Sequence, residues 1–76
     1  MIHIKDEELI KKFGKAVRAK RLSKNLSQQA LANNAEVELS QIYRIEHGKI
    51  NPTLSTINAI ANALEIPLKN LFDFEI

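Results

Sequence analysis

The sequence predicts an all-α domain of five helices joined by short connections. Apolar residues recur at intervals of three and four positions instead of alternating, which is the period of an amphipathic helix. The 76 residues include two prolines and two glycines, and aromatic residues make up 5% of the chain, so there is little β signal. Asp6, Ser27 and Thr53, which are residues of the N-cap type, each precede one of the periodic segments.

Two helices are expected in the first half of the chain. Asp6 caps the first helix. Gly14 interrupts that helix at a cost of about 1 kcal/mol relative to alanine, which indicates a close helix contact at this position. Ser27 caps a second, short helix, and the helical pattern breaks at residues 35–38. The apolar stripe of the first helix comprises Leu9, Ile10, Phe13, Ala16 and Val17.

Three more helices complete the prediction. The third runs to residue 46 or 47, and Gly48 is a natural residue to follow its end. Thr53 caps the fourth helix, and Pro67 ends it and opens a final short helix at residues 68–72. The buried side of the fourth helix is expected to comprise Leu54, Ile57, Ile60, Ala61 and Leu64.

The composition is that of one small globular domain, residues 1–76, and it excludes several classes of protein. Hydrophobic residues make up 45% of the chain and charged residues 26%, which argues against disorder. Because there is no cysteine, helix packing or oligomerisation must stabilise the fold in place of disulfides or thiolate metal sites. No apolar run reaches membrane-spanning length, and residues 1–4 are too short for a signal peptide, so a cytoplasmic protein is expected.

Positive charge is concentrated in the centre of the chain. Residues 11–49 carry nine lysines and arginines and three glutamates, a net charge of +6, whereas the whole chain carries +2. Acidic residues collect nearer the two ends. This distribution fits either a surface that binds a polyanion or a solvated, lysine-rich first helix.

Residues 39–47 form two faces on a helical wheel. Ile42 and Ile45 project from one face, and the opposite face presents Leu39, Ser40, Tyr43, Arg44 and His47. These residue types can read DNA, since arginine suits guanine, serine suits several bases and leucine suits the thymine methyl group. The same pattern is typical of an ordinary amphipathic surface helix, which the wheel alone favours.

The preceding segment supports DNA binding. Ser27-Gln28-Gln29 lies at a helix N-terminus, which suits a phosphate, and a short helix, a tight turn and a second helix follow in order. The sequence resembles the Cro/phage-repressor (XRE-like) type of helix-turn-helix domain and is similar to stand-alone restriction-modification controller proteins. The resemblance covers residues 13–72 and implies a compact, five-helix, lambda-repressor-like domain with its motif at 27–48. It rests on Leu26-Ser27-Gln28-Gln29-Ala30-Leu31-Ala32, Val37, Ser40, Ile42, Arg44-Ile45-Glu46, Gly48 and Asn51-Pro52.

The resemblance implies a role for each matched position. Arg21 and Glu46 match a salt bridge that ties the first helix to the recognition helix. The positions that face the bases are Leu39, Ser40, Tyr43 and Arg44. The positions that contact phosphates are Gln28, His47, Lys49 and Asn51.

The implied function is that of a sequence-specific transcriptional regulator, cytoplasmic and nucleoid-associated, that binds double-stranded DNA. The helix at 38–47 would enter the major groove of a palindromic operator, and the protein would bind as a homodimer because one helix reads only a few base pairs. The apolar C-terminus and one side of the fourth helix are the expected interface, with Asn58, Asn62, Phe72 and Phe74 as its residues. Alternatively, Phe72 packs in the monomer core and the tail frays.

Three positions depart from the family pattern. Glu36 occupies a turn position that is commonly glycine, at a cost on the order of 1 kcal/mol. Glu38 replaces the usual serine or threonine cap of the recognition helix, where it can accept from cytosine or favour the helix N-terminus. Leu39 replaces a more typical polar residue, and it either packs in the core or contacts a base.

Other functional classes find little support. The chain has no P-loop, no dinucleotide-binding glycine pattern and no set of nucleophile and base, and His3 and His47 lack ligand-spaced partners. We therefore expect no enzyme activity, metal, cofactor, small-molecule effector or membrane contact. The alternative function is a protein-interaction module or an antitoxin-type, partner-binding protein that retains this fold. Repression or activation, and a restriction-modification, phage or toxin–antitoxin context, are left open.

Overall fold

The computed structural model describes residues 5–75, which form helices and contain no strand. The predicted all-α class is therefore present. The elements are α1 (Glu7–Ser23), α2 (Gln28–Ala35), α3 (Leu39–Glu46), α4 (Leu54–Leu64) and a 3-10 helix, η1 (Leu68–Phe72).

The fifth predicted helix is the 3-10 helix and not an α-helix. Its first hydrogen bond runs from the N–H of Asn70 to the carbonyl of Pro67 at 2.9 Å, which is the tighter i to i+3 spacing. Five residues offer few i to i+4 bonds, so the 3-10 form is adopted here. The four α-helices therefore supply most of the architecture.

The three predicted N-caps are confirmed. A side-chain oxygen of Asp6, Ser27 and Thr53 accepts a hydrogen bond from the backbone N–H three residues later, at 3.0, 3.0 and 3.2 Å respectively. Such a bond satisfies one of the four N–H groups that a helix start leaves without a partner. Glu38 precedes α3 without a side-chain cap bond, so this helix begins less firmly than the others.

The core lies where α1, α2, α3, α4 and η1 meet. Its most fully buried large side chains are Val17, Leu31, Ile42, Ile45, Ile60, Leu64 and Leu71. Leu54 was predicted to lie on the buried side of the fourth helix, and this prediction was wrong, because Leu54 is 71% exposed. Side chains in a helix point toward its N-terminus, so a residue in the first position extends beyond the packed part of the helix.

Gly14 lies where α1 crosses the C-terminal end of α3. A Cβ atom at this position would be 2.9 Å from the carbonyl oxygen of Glu46 and closer still to that of Ile45. Any larger residue would therefore push the two helices apart. The close contact predicted at Gly14 is confirmed, and it sets how near the recognition helix lies to α1.

Left-handed residues terminate α2 and follow α3. Glu36 has φ 57° and ψ 43°, the conformation that the turn requires, and three residues separate α2 from α3. Gly48 follows α3 with φ 66°. Within residues 5–75, none of the helices has the length and apolar character that crossing a membrane requires.

Candidate nucleic-acid interface

α3 has one buried face and one exposed face. Ile42 and Ile45 are 0% and 1% exposed, so they anchor the helix in the core. The opposite face is in solvent and carries Leu39, Ser40, Tyr43 and Arg44. The sequence left open whether Leu39 packs in the core or contacts a base. Because Leu39 is 41% exposed, it does not pack in the core.

A buried salt bridge joins α1 to α3. Arg21 donates from Nε to Oε2 of Glu46 at 2.7 Å and from Nη2 to Oε1 at 3.0 Å, and the side chains are 8% and 0% exposed. Nη1 of Arg21 also donates to the carbonyl of Leu26 at 2.8 Å. The hydrogen bond from Arg21 to Glu46 raises the pKa of Arg21. Burial of the guanidinium acts in the opposite direction, and the negative charge of Glu46 adds to the rise in pKa. The guanidinium therefore stays charged, and its two-point geometry orients α3 against α1.

Gln28 extends this network to α2. Its Nε2 donates to Oε1 of Glu46 at 3.1 Å, so one carboxylate oxygen accepts from both α1 and α2. The resemblance implied a position for Gln28 that contacts a phosphate and sometimes a base, and no periodic signal in the sequence predicts its bond to Glu46. The carboxamide has a second hydrogen, which a phosphate oxygen can still accept.

Tyr43 and His47 form a stacked pair at the end of α3. Their ring centroids are 3.9 Å apart with an interplanar angle of 24°. Nδ1 of His47 lies 2.8 Å from the carbonyl oxygen of Tyr43, a hydrogen bond when the proton is on Nδ1. His47, which the resemblance places at a phosphate, is thus in contact with Tyr43, which the resemblance places at a base.

The exposed face of α3 borders a concave surface of about 790 Å³, here called the α3 cleft. It is lined by Gln28, Leu39, Ser40, Tyr43, Arg44, Lys49 and Ile50. The cleft thus contains all four residues expected to face bases and two of those expected at phosphates. Ile50 also lines the cleft, although the sequence predicted no site role for it.

Asn51 and the two glutamates of the turn lie outside the α3 cleft. Asn51 lines a separate apolar groove between α1 and η1, together with Ile10, Pro52 and Phe72 among others. Glu36 and Glu38 line a more polar depression that shares Leu39 with the α3 cleft. Glu36 and Glu38 thus line a depression next to the α3 cleft and do not line the cleft itself.

The predicted interface residues lie on α4 and on the C-terminal segment. Asn58 and Asn62 are exposed. Phe72 is 42% exposed, and its ring centroid lies 5.2 Å from that of Phe13 and 6.4 Å from that of the half-buried Phe74. Phe72 thus packs partly on its own chain while leaving a large apolar area in solvent. His3 and Ile76, the last residue of the expected interface segment, lie outside the described residues.

The order of α2, the turn and α3 is that of a known protein family. Residues 17–71 match the family model described as helix-turn-helix. The chain belongs to the helix-turn-helix family. This is a family of DNA-binding transcription regulators and not of enzymes, so the family resemblance, the fold class and the predicted lack of enzyme activity are confirmed.

Individual relatives of this helix-turn-helix protein include controller proteins and a repressor. It is 43% identical over 63 residues to "Control protein C.BamHI" of Bacillus amyloliquefaciens, covering 82% of this chain and 78% of that protein. It is 40% identical over 53 residues to an immunity repressor protein of Bacillus phage phi105, covering 70% of this chain and 37% of the repressor. The crystal structure of the restriction-modification controller protein C.AhdI from Aeromonas hydrophila superposes with a TM-score of 0.82 at 36% identity, covering 88% of this chain and all of that one, 100%.

Proposed function

We propose that this protein binds a palindromic DNA operator as a homodimer, with each α3 in the major groove. The observation that carries the proposal is the α3 cleft, which gathers Leu39, Ser40, Tyr43 and Arg44 on the exposed face of the recognition helix. The motif at 27–48 is the functional centre of a single domain, and the protein acts on chromosomal DNA in the cytoplasm.

Each polar residue of the α3 cleft has a proposed part. Arg44 is exposed and suits a bidentate contact to guanine, while Ser40 donates to or accepts from a base edge. Lys49 and Gln28 border the same cleft and would contact phosphates on either side of it. His47 and Asn51 are proposed as weaker backbone contacts, since neither lines the cleft.

The homodimer is supported by unpaired apolar surface. Leu54 is 71% exposed and lies one helical turn before the exposed Asn58, and Phe72 is 42% exposed. These side chains, with Asn62 and Phe74, would form a symmetric interface that places two α3 helices about one DNA turn apart. The two-fold symmetry of such a dimer explains why the operator should be palindromic, and the distance between the α3 helices sets the spacing of its half-sites.

The relatives support a role within a restriction-modification system. Two of them, C.BamHI and C.AhdI, are named as control or controller proteins. We propose that this chain is likewise a controller protein. The genes beside its own would test this, because a controller should neighbour an endonuclease and a methyltransferase.

The DNA-binding experiment begins by selecting bound duplexes from random DNA. Fluorescence anisotropy at several salt concentrations then compares the wild type with Arg44→Ala, Lys49→Ala and Lys69→Ala, the last an exposed lysine on η1 as control. Because each variant changes both protomers, Arg44→Ala should lose about a hundredfold in discrimination between selected and random duplexes. Lys49→Ala should weaken both about equally and reduce the salt slope by about 1.8, since two phosphate contacts are lost per dimer. Absence of binding even at low salt would favour the partner-binding alternative.

The dimer experiment measures mass by sedimentation velocity at tens of micromolar protein. Asn62→Arg should shift the protein toward the monomer, because it buries two like charges across a symmetric interface. Asn34→Arg, at an exposed position on α2, is the matched control and should leave the mass unchanged. A wild-type protein that sediments only as a monomer would remove the homodimer from the proposal.

A further inference from the structure

The α3 cleft is apolar for a surface that is expected to meet DNA. Leu39, Tyr43 and Ile50 line it, and Leu39 and Tyr43 remain 41% and 49% exposed in the free protein. Leu39 is the first residue of an eight-residue helix, and the exposed part of its side chain is free to contact whatever the cleft receives.

The charged residues that line the α3 cleft limit which chemical group the cleft can bind. Among residues 5–75, the ionised residues that line the α3 cleft are Arg44 and Lys49, and none of the described carboxylates lines it. The glutamates of the turn lie in the neighbouring depression instead. The occupant should accordingly be an apolar group carried by a polyanion.

The major groove of DNA offers one such group. Of the base-edge features presented there, only the C5 methyl group of thymine is apolar, and 5-methylcytosine carries the same methyl group at the same carbon. Leu39 is the first residue of α3, and the N-terminal residues of a recognition helix are the ones that contact base edges. The methyl group and Leu39 would therefore meet when α3 enters the groove.

We propose that the α3 cleft binds the C5 methyl group of a pyrimidine in the operator and that Leu39 is the specificity-determining residue. This inference rests on the proposed binding of α3 in the major groove. Leu39 and Ile50 supply the apolar walls, and Arg44 and Lys49 hold the surrounding polyanion. The ligand is a 5-methylpyrimidine, and the half-site contains one at the position facing Leu39.

The test removes one methyl group at a time. In a duplex selected by wild-type protein, each thymine of one half-site is replaced singly by deoxyuridine, which lacks only the C5 methyl group, and Kd is measured by anisotropy. One position should weaken binding about fourfold, the value for one buried methyl-sized group. Replacing the symmetric thymine as well should multiply the loss to about sixteenfold.

Two variants assign the methyl contact to a residue. Leu39→Ala should bind the thymine and deoxyuridine duplexes with equal Kd at that position. Ser40→Ala, a matched truncation on the same exposed face, should keep the fourfold ratio. Because both side chains are exposed, both variants should retain the wild-type circular dichroism spectrum and Tm.

Two further duplexes distinguish the source of the methyl group. One carries cytosine and the other carries 5-methylcytosine at the sensitive position, and their Kd values are compared. A gain on methylation that is lost in Leu39→Ala shows that the methyl group is read in either base, and equal Kd values show that thymine alone is accepted.

Several results would overturn the proposal. If wild-type protein binds DNA but no deoxyuridine substitution weakens it, the methyl contact is absent while the proposed function stands. If Leu39→Ala keeps the fourfold ratio, the methyl group lies elsewhere. Failure to bind any duplex would overturn both the inference and the proposed function.

Discussion

Glu36 and Glu65 share one backbone conformation, φ 57° and ψ 43°, although they end different helices. Each is in the left-handed region and donates its N–H to carbonyls of the preceding turn. That region costs an L-residue roughly 1–2 kcal/mol, which glycine avoids. The two sites differ in place, because Glu36 lies in the helix-turn-helix motif and Glu65 follows α4.

Glycine at either position should stabilise the fold. We expect Glu36→Gly and Glu65→Gly each to raise the free energy of unfolding by about 0.5–1 kcal/mol, since relief of strain exceeds the added entropy of the unfolded chain. Urea unfolding measures this. Only Glu36→Gly should also tighten binding to random-sequence DNA at low salt, because it removes a carboxylate beside the α3 cleft. Equal tightening by both variants would contradict this electrostatic role of Glu36.

Truncation of the buried ion pair should be strongly destabilising. Arg21→Ala or Glu46→Ala leaves one charge buried without its partner, so each should lower the free energy of unfolding by about 3–5 kcal/mol. The double variant Arg21→Met with Glu46→Leu should lose less than either single variant. Thermal unfolding gives the three values, and a double variant that is less stable than either single variant would contradict this expectation.

The contribution of Arg21 to stability should not change with pH over the ordinary range. The bond to Glu46 raises the pKa of Arg21 in the folded state. A raised pKa stabilises the fold at every pH below the unfolded value, and the contribution is lost only as pH rises through the folded value. From roughly pH 6 to 9 the contribution is therefore constant. A titration of Tm over that range checks the expectation.

Alanine at Gly14 should destabilise the protein although alanine is the better helix former. The added Cβ would meet the backbone carbonyls of Ile45 and Glu46, which cannot move without displacing α3. We expect a loss of about 1–3 kcal/mol in urea unfolding and weaker DNA binding. Lys15→Ala, at the exposed neighbouring position, is the control and should change stability by less than about 0.5 kcal/mol. A neutral Gly14→Ala would show that α1 and α3 can separate without cost.

The Tyr43–His47 stack should orient the tyrosine. Loss of the stacked ring in His47→Ala should weaken specific DNA binding about three- to tenfold, whereas His47→Phe, which keeps an aromatic ring, should bind more nearly as the wild type does. Neither change should alter the salt slope as Lys49→Ala does, because the stack is an aromatic contact and neutralises no phosphate. A reduced slope in His47→Phe would instead indicate a charged phosphate contact.

Features that depend on neighbours in sequence were predictable. The caps at Asp6, Ser27 and Thr53 are bonds across three residues, so residue type and position were enough to locate them. The two faces of α3 follow from the helical period, which separates Ile42 from Tyr43 whatever the rest of the chain does.

Features that depend on contacts between distant residues were not predictable in this way. The family resemblance anticipated the pairing of Arg21 with Glu46, but it did not anticipate that Gln28 joins the same carboxylate. Nothing in the local pattern indicated that Asn51 lies outside the α3 cleft while Ile50 lies in it.

The helix-turn-helix motif, its caps and its exposed face were therefore determined by the sequence alone, because hydrogen bonds and side-chain periodicity within one or two turns specify them. The tertiary structure decided how these parts meet. The approach of α1 to α3 at Gly14, together with the bonds to Glu46, sets the angle of the recognition helix. That angle is a property of packed surfaces far apart in the chain, so no local pattern in the sequence specifies it.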